Sequence, residues 1–319
     1  MTKTPRLRRA LRWAAVLLTA VVMVALIRSL QRDGPAALQA WRAADVRWTW
    51  VALSCACGLA GQAVFVLGWR RLLTDCGVVI SLWQAARIFL VSNLGRYLPG
   101  GKAWQMSIVG VMAAENDLPA GTLAATSLLQ GLLGVGVGAV LLLGTGGAAL
   151  GVATAWYALP VAGIAGLLLG PALLRNLPAV RAPLLRRLPS VESVTTATMW
   201  TLVWTTAFSW IAWGAALFAL AIGLFGDPGA SIITYIAAWI GPFLAGLIAV
   251  VTPAGLGVRD EVMRVMLNSA GVSASSAIML ALVARVWATA LEVVPAVVLL
   301  AFRQKRAAIT PNIEARVPS

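Results

Sequence analysis

Two stretches interrupt an otherwise apolar chain in the same manner: Ser92-Asn93-Leu94-Gly95-Arg96-Tyr97-Leu98-Pro99-Gly100-Gly101-Lys102 and Val251-Thr252-Pro253-Ala254-Gly255-Leu256-Gly257-Val258-Arg259-Asp260-Glu261. Each sets proline, glycine and charged side chains directly against a hydrophobic run. Proline removes a backbone donor and glycine relaxes the dihedrals, so Pro99, Gly100 and Gly101 break the first segment and Pro253, Gly255 and Gly257 the second. In hydrocarbon the freed backbone groups must find partners inside the protein or in a wet cavity. A matched pair of such breaks in two halves of a membrane protein is the pattern of a transport site.

The rest of the chain agrees with that setting. Its 319 residues are 60% hydrophobic and 11% charged, with a mean hydropathy of +0.87, which a soluble domain could not easily sustain. Runs of spanning length lie at Trp13 to Ile27, Thr49 to Trp69, Gly121 to Leu143, Val152 to Leu174, Ala197 to Ile222 and Ser276 to Phe302. The expectation is an all-α polytopic membrane protein with six plain transmembrane helices. Two further Pro/Gly-broken segments, 85–114 and 232–267, carry too much charge for lipid-facing helices, giving six to eight spans in all. Residues 1–12 form a basic N-terminus, 13–302 a single membrane domain and 303–319 a basic tail.

The net charge of +14 would suggest a nucleic-acid partner in a soluble protein, but the cations cluster at the ends of spans. Five lie in the first twelve residues, four between Arg175 and Arg187, and Arg303, Lys305, Arg306 and Arg316 lie at or beyond the last span. Under the positive-inside rule these are cytoplasmic flanks of a cell-membrane protein with both termini inside. The rule is best met if the first break is re-entrant from the cytoplasm and the second from outside, an inverted pair as in repeat-built transporters. Two kinked full crossings would also keep both termini inside but would invert the Arg175 to Arg187 loop. The cations from Arg28 to Arg47, only partly offset by Asp33 and Asp45, weigh against the topology.

Smaller features have simpler readings. Arg28 and Gln31 follow the first apolar run in place of a small-residue cleavage site, which reads as an uncleaved signal anchor. Leu38, Trp41 and Trp48 recur at helical spacing, as in an interfacial helix. The tryptophans, among them Trp13, Trp48, Trp69 and Trp200, read as interface anchors. Gly134 to Gly138 and Gly166 to Gly170 have the spacing that lets helix backbones approach closely.

The chain has no histidine, which removes imidazole base catalysis, histidine-bearing zinc sites and every Ser-His-Asp or Cys-His arrangement. Cys55 and Cys57 point to opposite sides of a helix, and with Cys76 they read as small apolar thiols without a disulfide or metal cluster. No cofactor and no metal are expected.

The candidate chemistry lies in the breaks and the last span. Arg87, Arg96 and Lys102 bring cations to backbone that cannot stay helical, and a helix beginning after Gly101 would add its N–H groups and dipole, a combination that attracts phosphate. Trp104 and Gln105 could cover an apolar stem and hydrogen-bond a headgroup. The bland alternative is that Arg96 and Lys102 snorkel to lipid phosphates as anchors. In the second break Arg259, Asp260, Glu261 and Arg264 follow the glycines, and Asp260 and Arg264 have i, i+4 spacing for a pair, which alone could be a salt-bridged cap. Arg285 and Glu292 stand seven residues apart on one face of the last span, too far to bond each other, so each needs another partner. Asp260 or Glu261 suits Arg285; a purely structural buried pair is the alternative.

With these residues the chain resembles the lysylphosphatidylglycerol synthase transmembrane region family, also described as flippase-like or as an uncharacterised conserved integral membrane family. The resemblance is carried by Ser92 to Gln105 and by the Pro-x-Gly-x-Gly-Val-Arg-acid pattern from Pro253 to Glu261. It implies flipping of anionic or aminoacylated phospholipids, or of polyprenyl-phosphate-linked lipids in relatives, across the cytoplasmic membrane. In fused members an aminoacyl-transferase domain follows the membrane region, whereas a short tail follows Phe302 here, so no synthase activity is expected to carry over. Many relatives have an acidic residue and a later Arg after the first Pro-Gly, where this chain has Lys102 and Gln105.

The leading expectation is therefore a non-enzymatic lipid transporter. Its headgroup cavity would hold phosphate on Arg96, Lys102, Arg259 and Arg285, with Asp260, Glu261 and Glu292 balancing charge or gating. The partner is a membrane lipid, with no nucleic acid. Two other classes compete: an accessory protein for a neighbouring glycosyltransferase or lipid-modifying enzyme, which needs no cavity, and a membrane lipid transferase using Asp260 or Glu261 as base.

Overall fold

The computed structural model describes residue 35 and residues 45–97, 102–149, 194–248 and 257–301. The runs at Trp13 to Ile27 and Val152 to Leu174, the segment around Leu38 and Trp41, the Arg175 to Arg187 loop, the Gly166 to Gly170 strip and both basic termini lie outside these residues. Among the described residues the structure is all-helical. Four helices are long and apolar enough to cross a membrane: α1 (Trp48–Asp75), α4 (Ala120–Ala149), α5 (Thr196–Phe225) and α8 (Ala274–Ala301). They cover four of the six runs expected to span, the last of them as far as Ala301.

The broken segments form the remaining helices: α2 (Leu82–Asn93), a 3₁₀ turn (Leu94–Tyr97) and α3 (Lys102–Glu115) in the first, α6 (Ile232–Ile248) and α7 (Val258–Ser269) in the second. With 12 and 14 residues, α2 and α3 are about 18 and 21 Å long, short of the roughly 30 Å hydrocarbon core. Both segments are antiparallel hairpins and not kinked continuous helices. Gln105 Nε2 donates to Asn93 Oδ1 at 2.6 Å near the first tip, while Arg87 and Glu115 face each other at 4.0 Å farther down the arms. In the second, Arg259 lies against Phe243 and Gly246 near the tip, and Met266 lies against Gly241 below.

Glycine makes each tip narrow. A Cβ on Gly95 would come within 2.6 Å of the Gln105 backbone nitrogen, and one on Gly246 within 2.7 Å of Arg259 Cγ. Any larger residue would push the arms apart at the point where the charged side chains begin.

The hairpins belong to two separate apolar cores. Trp213, Leu217 and Leu220 of α5, Tyr235 and Ala238 of α6, Leu267 of α7 and residues from Ala277 to Leu291 of α8 form one. Trp69 and Leu73 of α1, Ile88 of α2, Met112 of α3 and Leu123 of α4 form the other, closed by Ala296 and Leu299 at the far end of α8. Helix α8 alone among the described helices supplies buried residues to both cores, passing from one to the other between Leu291 and Ala296.

Two sequence expectations change. Trp48 is 73% exposed, as an interface anchor would be, but Trp69 is fully buried and donates to Thr126 Oγ1 at 3.2 Å. Trp213 and Trp239 stack at 4.9 Å with Trp287 edge-on, so a third group of indoles builds the interior. The Gly134 to Gly138 strip receives the Trp210 indole instead of a helix backbone: Trp210 Nε1 donates to the Gly134 carbonyl at 3.0 Å, and its ring lies against Gly138. Cys55, Cys57 and Cys76 are half-buried.

Pro295 interrupts α8 and deprives the Leu291 carbonyl of its helical donor. Gln62 of α1 supplies the replacement, its Nε2 donating to Leu291 O at 3.3 Å. Gln62→Leu is expected to lower stability by about 1 kcal/mol, the scale of an interhelical hydrogen bond in a membrane protein, read by thermal unfolding in detergent. An unchanged midpoint would show that the carbonyl is satisfied otherwise.

Candidate functional site

The two charges of α8 organise the site. Arg285 and Glu292 share a face about 10 Å apart, so each reaches a different neighbour. Arg285 Nη1 lies 2.6 Å from Asp260 Oδ2 at the start of α7. Glu292 takes the Arg96 guanidinium and also the Tyr97 hydroxyl, which donates to Oε2 at 2.5 Å. Thus one charge of α8 binds each hairpin near its tip, and the two pairs flank the passage between the apolar cores. A charge left alone in lipid costs about 2.5–3.5 kcal/mol, so the pairing is what allows these residues within a spanning helix.

Asp260 has a double task. Besides Arg285, its Oδ2 accepts the Gly257 backbone N–H at 3.2 Å and so caps α7. Gly257 stands at φ +81°, a conformation in which glycine avoids the strain of a side chain. With Asp260 engaged twice, Arg264 pairs with Glu261 at i, i+3, and the expected Asp260 to Arg264 pair does not form. Glu261 is half exposed.

Arg259 is different. Its guanidinium lies 4.4 Å from the Phe243 ring centre and within electrostatic reach of Arg96, Arg285, Glu292 and Tyr97. Among the described residues it makes no ion pair or hydrogen bond. A cation in the first turn of a helix also opposes the helix dipole. Arg96 adds a buried Nε without a described partner. The described side chains at this centre are three guanidiniums, Arg96, Arg259 and Arg285, against two carboxylates, Asp260 and Glu292, leaving one uncompensated positive charge. That arrangement can hold an anion, with planar donors suited to a phosphate.

The other candidate residues fall elsewhere. Lys102 opens α3, and its side chain lies outside the described residues, as do Pro99, Gly100, Gly101, Pro253 and Gly255. Trp104 is 50% exposed, while Gln105 is buried and braces the hairpin through Asn93. Arg87 bridges the arms to Glu115, away from the tip. Sequence reasoning missed Tyr97 and Phe243. Tyr97 stands beside Arg96 in the first break, where a hydroxyl next to a cation was a usable signal; Phe243 lies in an apolar run with nothing to distinguish it.

Glu292→Gln is expected to destabilise the protein by about 2 kcal/mol or more, because Arg96 then stays partly buried without its counterion. The double variant Arg96→Met with Glu292→Leu should recover part of the loss in the same thermal assay. Equal unfolding midpoints for wild type and the single variant would contradict the pairing.

The comparisons with known proteins bear on the same residues. The family model described as Lysylphosphatidylglycerol synthase TM region matches residues 12–296, an interval that holds both hairpins, Arg285 and Glu292. Comparison with curated proteins gave no match. Since the matched interval takes in most of the sequence and the whole polar centre, the chain belongs to the lysylphosphatidylglycerol synthase TM region family.

Proposed function

We propose that this protein is a flippase-like transporter that carries an anionic phospholipid across the cytoplasmic membrane. The observation that supports this reading is Arg259: a cation without a described counterion, set between two hairpin tips and two completed ion pairs. A guanidinium in such surroundings gains most from a phosphodiester, which it can bind through two parallel N–H bonds. One excess positive charge among the described side chains matches one phosphodiester better than a diphosphate. In this reading the two hairpins enter from opposite faces, with both termini cytoplasmic, as the distribution of arginine and lysine prefers.

The two ion pairs then act as gates. Arg96 and Arg285 are each held by one carboxylate, and a phosphate arriving at Arg259 competes with Glu292 and Asp260 for them. Exchange of these partners would loosen one hairpin from α8 while the lipid occupies the centre, without leaving a guanidinium unpaired in hydrocarbon. No covalent step is required, so the lipid leaves with its mass unchanged.

Vesicles carrying the purified protein and fluorescent phosphatidylglycerol test this through the rate at which an outer quencher reaches label from the inner leaflet. Wild type is expected to move the lipid, Arg259→Ala to slow it about tenfold or more, and Arg259→Lys to fall between because lysine lacks the planar fork. Arg264→Ala, on the half-exposed Glu261 pair, should leave the rate unchanged. Equal rates for wild type and Arg259→Ala, or no movement by wild type, would overturn the proposal.

A further inference from the structure

A groove of about 280 Å³ opens between α1, α2 and α8, lined by Leu59 and Leu67 of α1, Leu82, Ala86 and Leu90 of α2 and Pro295 of α8. Its walls are almost wholly apolar. Gln62 lines it too, but its amide is already given to the Leu291 carbonyl. Leu59, Leu67 and Leu82 are 40–48% exposed, so the groove is open along helices of spanning length and apolar composition, where hydrocarbon surrounds the protein.

The groove adjoins the charged centre from two sides. Pro295 follows Glu292 by three residues on the same face of α8, a rise of about 4.5 Å. Leu90 precedes Arg96 by six residues, and Arg96 lies in the 3₁₀ turn that follows α2. The Leu90 and Pro295 end therefore lies on the side of the Arg96, Tyr97 and Glu292 cluster, and Leu82 lies at the far end of α2. Its volume lies below the roughly 300–1,000 Å³ of sites that enclose a whole small ligand, so it suits a single chain and not a headgroup with it.

We propose that this groove seats one acyl chain of the phospholipid whose phosphodiester is bound at Arg259. The assignment rests on the transport reading above and adds a second contact to it. A phospholipid chain is the occupant because the described side chains of the nearby centre carry a single excess positive charge, which complements a phosphodiester. The notch at Pro295, where the helix lacks a backbone donor, leaves an apolar wall against which methylene groups lose no hydrogen bond. A chain seated there exchanges one hydrocarbon contact for another, so the groove acts by packing that aligns the lipid beside the centre and not by hydrophobic transfer.

Photolabelling of the full-length protein in vesicles tests the seat. Phosphatidylglycerol with a diazirine near the end of one acyl chain is activated, and labelled peptides are mapped by mass spectrometry. Labelling of residues 59–67 and 82–90 is expected to exceed that from the matching phosphatidylcholine probe, to be displaced by unlabelled phosphatidylglycerol and to fall in Arg259→Ala. Filling the groove by Ala86→Trp, or by Ala63→Trp on its α1 wall where the first variant folds poorly, should lower displaceable labelling about tenfold, a difference of about 1.4 kcal/mol. Even labelling along all exposed helices, unaffected by these substitutions, would overturn the groove while leaving transport by the quenching assay intact. Displaceable groove labelling without transport would uphold the seat and refute the flippase. Equal displaceable labelling by both probes would refute selection by charge and with it this assignment.

Discussion

A spanning helix that carries an arginine and a glutamate two turns apart must find each a partner, and that constraint shapes this protein. Arg285 draws in Asp260 and with it the start of α7, while Glu292 draws in Arg96 and Tyr97 at the tip of the first hairpin. Lipid offers no hydrophobic force to hold helices together, so contacts of this kind carry weight that burial carries in water. The apolar cores on either side of α8 can therefore remain distinct. The polar centre is where they are joined.

The hairpins follow from the same economy. A broken helix in hydrocarbon is tolerated where its freed groups are met by protein, and the close approach at Gly95 and Gly246 brings each pair of arms near enough to meet them. Asp260 shows how tightly the requirements are combined. The same carboxylate oxygen caps α7 through Gly257 and neutralises Arg285, so the local backbone and the long-range pairing cannot be altered independently. Arg259, one residue earlier on α7, lies on the Phe243 ring instead of on a carboxylate. An unsatisfied charge beside two satisfied ones is costly unless a ligand uses it.

Much of this was readable from the sequence, for physical reasons. Proline and glycine next to charge mark a broken helix wherever they occur in an apolar run, so both hairpins could be located before their arms were seen to pair. Arg285 and Glu292 stood out because apolar spans rarely carry charge, and helical spacing alone showed that they needed separate partners. What could not be read depends on tertiary placement. Asp260 and Glu261 were equal candidates for Arg285 until capping fixed one of them, and that choice left Arg264 to Glu261. Nothing in the sequence reveals that Asn93 stands opposite Gln105. Trp213, Trp239 and Trp287 carry no sign of their stacking, since span-end position and interior position look alike when helices are long.

The central claim is that two hairpin tips and α8 enclose one uncompensated guanidinium that receives a phosphodiester. An experimental density map of the protein in nanodiscs containing phosphatidylglycerol examines it directly. The account predicts a phosphate-sized peak within about 4 Å of the Arg259 guanidinium, the range of an ion pair, between the hairpin tips on α8. Empty density there, with lipid bound only elsewhere or with the tips apart from α8, would contradict it.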